Sequence, residues 1–183
     1  MSVFVSFYHF LLDWFYTAEE FQFCDMVETL LYKRSVPIWS HYYEYFQAAK
    51  KHPNQILFLF FEDIVAKREQ AVRKVAQFIG VDDELAEERI ATALKYSEFN
   101  WMKTNEHLFD EAPNKRARNK IFGAVGDKAS KIRAGKTTID SMDPLLREEI
   151  ETVLQAKFKE HFGVATYEEL RTLVQDSDIQ SLD

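Results

Sequence analysis

Only one cysteine, Cys24, occurs in the 183 residues, which excludes an internal disulfide framework and fits a reducing, cytoplasmic compartment. The simplest reading of that thiol is an inert buried side chain. Glycine and proline are also scarce, five and four residues, so collagen-like and linker-like classes fall away. The chain shows no internal repeat, no metal-ligand spacing and no glycine-rich phosphate loop. A net charge of −7 excludes general nucleic-acid binding, although it leaves room for a local anion site. The opening MSVFVSFYHFLLDWFY is apolar, but it has no basic flank or small-residue cleavage site and it contains His9 and Asp13. It reads as a buried helix over Val3–Tyr16, packed on several sides, and neither as a signal peptide nor as a membrane span.

What the chain does have is aromatic carbon, sixteen Phe and eight Tyr, enough for an aromatic-heavy core or groove. The stretch Ile56–Val81 organises the rest. Its six apolar residues Ile56–Phe61 follow a Pro53-Asn54 turn signal and form a run too short for a helix, which predicts a strand buried on both faces, as in a parallel sheet. Glu62-Asp63 closes the run. A helix then follows with Val72, Val75, Ala76 and Ile79 in one stripe and Gly80 at its stop. Strand into helix is half of a βαβ unit, so the predicted class is α/β.

Further helices are predicted over Glu19–Arg34, with Phe23, Val27, Leu30 and Leu31 inward, and after Pro37 in the aromatic VPIWSHYYEYFQ. Two more follow. Asp83–Lys95 turns Leu85, Ile90 and Leu94 inward behind an Asp82-Asp83 cap, and Met142–Phe162 opens on Asp143-Pro144 and ends at Gly163. Between them, Asn114–Lys136 carries eight Lys and Arg against the single acid Asp127. By itself that run reads as a solvated basic loop, and it is also what an anionic nucleotide would need.

Five phrases, in order along the chain, resemble the cytosolic-type sulfotransferase family: VSFYHF, WSHYYEYF, FEDI with VAQFIG, FNWMK and KIRAG. The resemblance spans about Val3 to Phe162. It implies a P-loop NTPase-like sulfotransferase fold, here truncated and therefore mostly helical with few parallel strands. It places a sulfotransferase domain over 1–163 and a short helix and polar tail over 164–183. Members of the family move a sulfuryl group from PAPS, 3'-phosphoadenosine 5'-phosphosulfate, to a hydroxyl or amine of a small acceptor.

Carried over residue by residue, the resemblance assigns nucleotide contacts to Ser6, Phe61, Ser97, Phe99, Met102, Arg133 and Gly135. Ser6 and Arg133 would hold the 3'-phosphate, a hydroxyl and a guanidinium fork being suited to phosphate oxygens. Phe61 stands where the family has a tyrosine at the adenine end, so a ring face remains without its hydroxyl. Without the resemblance the same residues have plainer readings: Ser6 as a locally bonded helix serine, and Phe61, Phe99 and Met102 as core. Trp39, His41 and Tyr45 match an aromatic helix that can wall the acceptor pocket, and His41 on its own reads as a structural residue.

The chain departs from the family pattern as well. Ala134 replaces a lysine, the Gly-Asp-Trp that usually follows is absent, and so is the family's dimerisation phrase. The family's phosphate-loop phrase, its upstream arginine and its catalytic histidine have no counterpart in these residues, and His9 belongs to the helix phrase. The resemblance therefore implies the C-terminal part of a sulfotransferase, with no catalytic residue to assign and no metal. An exposed sheet edge is expected, through which copies could self-associate. A stand-alone, non-catalytic domain that binds nucleotide or a protein partner is the alternative.

Overall fold

The computed structural model describes residues 2–14, 16, 18–31, 38–109, 132 and 142–182. Its elements, in chain order, are α1 (Ser2–Trp14), α2 (Phe23–Leu31), α3 (Ile38–Lys51), α4 (Phe61–Ala66), α5 (Arg68–Phe78), α6 (Ala86–Tyr96) and α7 (Phe99–Thr104). A 3-10 turn (Glu106–Phe109), α8 (Pro144–Phe162) and α9 (Tyr167–Gln175) complete them. The chain divides into two compact units, one of residues 1–36 and 98–151, the other of residues 37–97 and 152–183.

In the first unit α1 packs on α2. Phe4 and Val5 are buried from α1, Met26 and Val27 from α2. The aromatic carbon noted in the sequence gathers here around Tyr8, whose ring meets Phe23 edge-on at 5.3 Å and whose hydroxyl donates to the Phe21 carbonyl at 3.2 Å. Helix α1 is less enclosed than its sequence predicts, because Phe7 and Phe10 stack on each other at 6.0 Å on a partly exposed side. Cys24 is exposed, against the expectation of a buried thiol. It sits next to Phe23 and ahead of Met26 and Val27, so the helix period turns it away from the buried face.

The second unit is built around Phe46, Ala49, Val174 and Ile179, with Ile56, Phe58, Phe60, Phe162, Leu170 and Leu173 packed against them. Here the main structural expectation changes. Ile56–Phe60 is extended but forms a single parallel bridge, Leu57 to Gln180, with the Phe58 N–H donating to the Gln180 carbonyl at 2.8 Å. Among the described residues there is no strand, so the few parallel strands expected reduce to this bridge. A strand exists only with a paired neighbour, which a sequence run cannot supply by itself.

The period of two is nevertheless present. Ile56, Phe58 and Phe60 face the core, while Leu59 faces an open apolar groove of about 360 Å³ lined by Ile64, Val72, Val75, Ile79 and Val81. Because that groove is open, the run is half-buried throughout and not enclosed on both faces.

The predicted strand also ends one residue early. Phe61 is the first residue of α4, which places Glu62 and Asp63 in the first helical turn, where the helix dipole favours negative charge. Helix α5 forms where predicted, but of its expected inward stripe only Ala76 is buried; Val72 is half-buried, Val75 and Ile79 are exposed along the open groove, and Ala71 is buried instead. It stops in a Schellman turn: Gly80 has φ 76° and the Val81 N–H donates to the Ala76 carbonyl at 2.9 Å. Helix α8 is capped by Asp143, whose Oδ1 accepts from the Leu145 and Leu146 N–H groups at 2.9 and 3.1 Å. Gly163, at φ 73°, ends it as predicted.

Beyond residue 163 the expected polar tail is instead partly core. Thr166 caps α9 by accepting from the Glu169 N–H, and the Glu169 carboxylate accepts from the Ala165 N–H at 2.7 Å, a pair of bonds of the capping-box type. After α9 the chain returns to the core, burying Ile179, Ser181 and Leu182. Ile179 and Leu182 had a place to go that the sequence alone did not reveal. Among the described residues no helix is long and apolar enough to cross a membrane.

Candidate functional site

The residues assigned to the nucleotide divide between the two units. Ser6, Phe99 and Met102 lie in the first, Phe61 and Ser97 in the second. Arg133 and Gly135 fall outside the described residues.

Ser6 is exposed on α1 beside buried Phe4 and Val5, so its hydroxyl is on the solvent side of the helix. Phe99 opens α7 and is 38% exposed, and Met102 is half-buried one turn on. Neither is a core residue in the sense of the plainer reading. Ser97 is half-buried at the end of α6, where its hydroxyl donates to the Leu94 carbonyl at 3.2 Å.

Lys103, next to Met102, makes a contact that sequence reasoning missed. Its Nζ donates to the Ile132 carbonyl at 3.1 Å and pairs with Glu106 at 2.5 Å. This single ammonium ties the FNWMK helix to the residue immediately before Arg133, twenty-nine positions away. The FNWMK and KIRAG phrases therefore meet at one point, Lys103 to Ile132, through a lysine whose spacing gave no sign of it.

Phe61 is 68% exposed, the opposite of a core residue. Its neighbours are held tightly. Phe60 meets the Tyr167 ring edge-on at 5.9 Å and lies under the Arg171 guanidinium at 5.4 Å. Glu62 accepts a hydrogen bond from the Tyr167 hydroxyl at 2.8 Å. Asp63, 7% exposed, accepts from Arg171 through Oδ1, while its buried Oδ2 has no hydrogen-bond partner among the described residues. Burial, and then the bond to Glu62, push the Tyr167 hydroxyl well above the usual tyrosine range.

The sequence did carry a signal for these partners. Thr-x-x-Glu at 166–169 is a capping-box signature, and counting from it puts Tyr167, Leu170, Arg171 and Val174 on one helical face.

On α3, Trp39 packs edge-on against Phe158 at 5.7 Å and so belongs to the interior packing of its unit. His41, Tyr42 and Tyr45 form an outward aromatic group, with the imidazole 4.6 Å from the Tyr45 ring. Of the three residues expected to wall an acceptor pocket, two are thus available at the surface and one is not. Among the described residues no group of three or more His, Cys, Asp or Glu could hold a metal ion.

Comparison with known proteins agrees with the reading of the five phrases. A family model described as sulfotransferase domain matches residues 1–172. Cytosolic sulfotransferase 12 of Arabidopsis thaliana is 26% identical over 67% of the chain and 35% of its own length. Cytosolic sulfotransferase 13 of the same plant is 25% identical over 85% of the chain and 48% of its own length. No solved structure matches the chain significantly. The chain belongs to the sulfotransferase domain family. It spans between about a third and a half of the length of these two relatives. The family match implies the P-loop-like fold class, and the described residues are mostly helical.

Proposed function

We propose that this chain forms the donor-nucleotide side of a PAPS-dependent sulfotransferase acting on a hydroxyl or amine of a small acceptor. The observation that carries the reading is the family match over residues 1–172, within which the five phrases occur in family order. Support comes from the exposure of Ser6, Phe61 and Phe99, which leaves a hydroxyl and two ring faces open to a ligand. The link from Lys103 to Ile132 adds to it by bringing the Met102 helix beside the residue that precedes Arg133.

In the transfer the sulfur–oxygen bond to the donor's phosphate breaks, and a new one forms to the acceptor oxygen or nitrogen. The acceptor's proton goes to a base, and the electron pair stays on the released phosphate. Donors and cations aimed at that phosphate stabilise the charge as it develops. In this reading Ser6, Arg133 and the Gly135 backbone bind the 3'-phosphate, and Phe61, Ser97, Phe99 and Met102 fix the adenosine. No residue of this chain is assigned as the base, and His41 with Tyr45 contributes to the acceptor wall. The reading places the protein in the cytoplasm, apart from membrane and nucleic acid.

The test is a calorimetric titration of the chain with adenosine 3',5'-bisphosphate, the released product, beside Arg133→Ala. Micromolar binding is expected, weakened about tenfold or more by removal of a charge-assisted phosphate contact. A folded chain that does not bind the product overturns the proposal. Binding without sulfuryl transfer to any phenol or amine would favour a nucleotide-binding domain without catalysis.

A further inference from the structure

Three of the four consecutive residues Phe60–Asp63 are held by one helix distant in sequence, and the fourth is released to solvent. Arg171 covers Phe60 and binds Asp63, and Tyr167 touches Phe60 and binds Glu62. Both grips come from α9, one turn apart on the same face, and Val174 continues that face into the core. Tyr167 is itself seated against Phe158 of α8 at 6.4 Å. Phe61 alone of the four turns outward, at 68% exposure.

We infer that α9 is a clamp on the start of α4, with Arg171 and Tyr167 as positioning residues that fix the direction in which the Phe61 ring is presented to the nucleotide.

Three features favour a positioning role over a purely cohesive one. First, an ion pair whose carboxylate is buried and whose guanidinium is only partly exposed is a poor device for stability, since an apolar pair of similar volume often does as well or better, whereas its directionality fixes geometry. Asp63 shows the cost directly, because its Oδ2 is buried with no hydrogen-bond partner among the described residues. Second, α4 has no side-chain cap of its own: Phe60 occupies the cap position with extended φ and ψ of −85° and 137°. The point where the chain changes from extended to helical is thus fixed by α9 and not by local capping. Third, the two grips fall on residues 62 and 63, immediately after the ring, so a rotation of the first turn would swing Phe61 with it.

The inference rests on the reading of Phe61 as a nucleotide-facing ring, and its test separates the two. In one arm the full chain carries Asp63→Leu with Arg171→Met, which removes the charge pair while keeping the site filled. In the other it carries Tyr167→Phe, which deletes one hydroxyl and preserves folding should the double variant fail to fold. Each is made with phenylalanine or 4-fluorophenylalanine at position 61, and each is titrated with adenosine 3',5'-bisphosphate.

The double variant is expected to unfold at a urea midpoint close to that of wild type. Its fluorine NMR resonance should shift and broaden, and its affinity should fall about tenfold as preorganisation is lost. For Tyr167→Phe the same changes are expected at about threefold. An unmoved resonance overturns the clamp whatever the affinity does, and a moved resonance with unchanged affinity overturns its role in presenting the ring. If wild type binds no nucleotide yet the resonance moves, the nucleotide reading falls and the clamp stands as the device that orients Phe61.

Discussion

Helices α4 and α7 begin almost identically and are secured by opposite means. Each is six residues long and opens on phenylalanine after an extended residue, Phe60 in one case and Glu98 in the other, and neither has a side-chain cap. Each ring, Phe61 or Phe99, is one the resemblance gives to the nucleotide. Yet α4 is held from α9 by a buried carboxylate paired with a partly exposed guanidinium 108 positions away. Helix α7 is held mostly by its own neighbourhood: the Asn105 side chain donates to the Trp101 carbonyl at 2.8 Å, Thr104 donates to Asn100 at 2.9 Å, and Lys103 pairs with Glu106. Among the described residues its distant hydrogen bond runs from Lys103 to the Ile132 carbonyl. Like helix starts therefore do not imply like anchoring. What differs is where the compensating charge sits and how much water reaches it.

The largest effect that would break this comparison is on stability. Arg171→Ala leaves Asp63 charged, buried and unpaired, and should lower the unfolding free energy by on the order of 3 kcal/mol. Lys103→Ala, whose ion pair is about half exposed on both sides, should cost no more than about 1 kcal/mol. Urea denaturation of the two variants gives the contrast directly, and equal losses would remove the distinction between the helices. On ligand affinity the two should lie much closer together if the Lys103 link positions the segment around Arg133. Lys103→Ala should then weaken adenosine 3',5'-bisphosphate by about fivefold, read by calorimetry.

A smaller change sharpens the comparison at the cap positions. Glu98→Asp supplies α7 with a preferred cap residue where the backbone is already extended, and should stabilise the chain by about 0.5 to 1 kcal/mol. The matching Phe60→Asp should destabilise it, because the phenyl ring there is part of the packing under Tyr167 and Arg171. Thermal unfolding of the pair shows whether the two uncapped starts are equivalent.

The smallest effect at neutral pH, and the most specific, concerns Tyr167. Its hydroxyl is raised in the folded state, so the folded chain holds that proton more firmly than the unfolded one. The contribution is fully present below the unfolded value of about 10 and is lost as pH rises through the folded value. Wild type should therefore lose stability more steeply than Tyr167→Phe above about pH 10. Parallel slopes of urea midpoint against pH would show that the hydroxyl is not buried against Glu62.

Much of the helical architecture was legible because its signals are local. Apolar spacing located α5 and α6, Gly80 marked the stop of α5, and Asp143-Pro144 and Gly163 marked the start and stop of α8. Ile56–Phe60 was legible as extended and apolar, with its alternation intact. Whether it would be a strand was not, because pairing depends on a second segment, here Gln180 alone among the described residues. The candidate site was legible only as phrases, and the identities of Ser6, Phe61, Ser97, Phe99 and Met102 came with no indication of exposure. Arg171, Tyr167 and Lys103 were missed because a charged or phenolic residue on a helix looks the same in sequence whether it meets water or a carboxylate.

By itself, then, the sequence determined the helices, their ends, the family and the list of residues suited to a nucleotide. All of these depend on side-chain type and on spacings of a few residues. The tertiary structure decided which partners meet across long separations: the tail residues Ile179 and Leu182 turned inward, Asp63 was paired with Arg171, and Phe61 was left outside. Such choices follow from burial and desolvation, which belong to the folded arrangement and not to any residue alone.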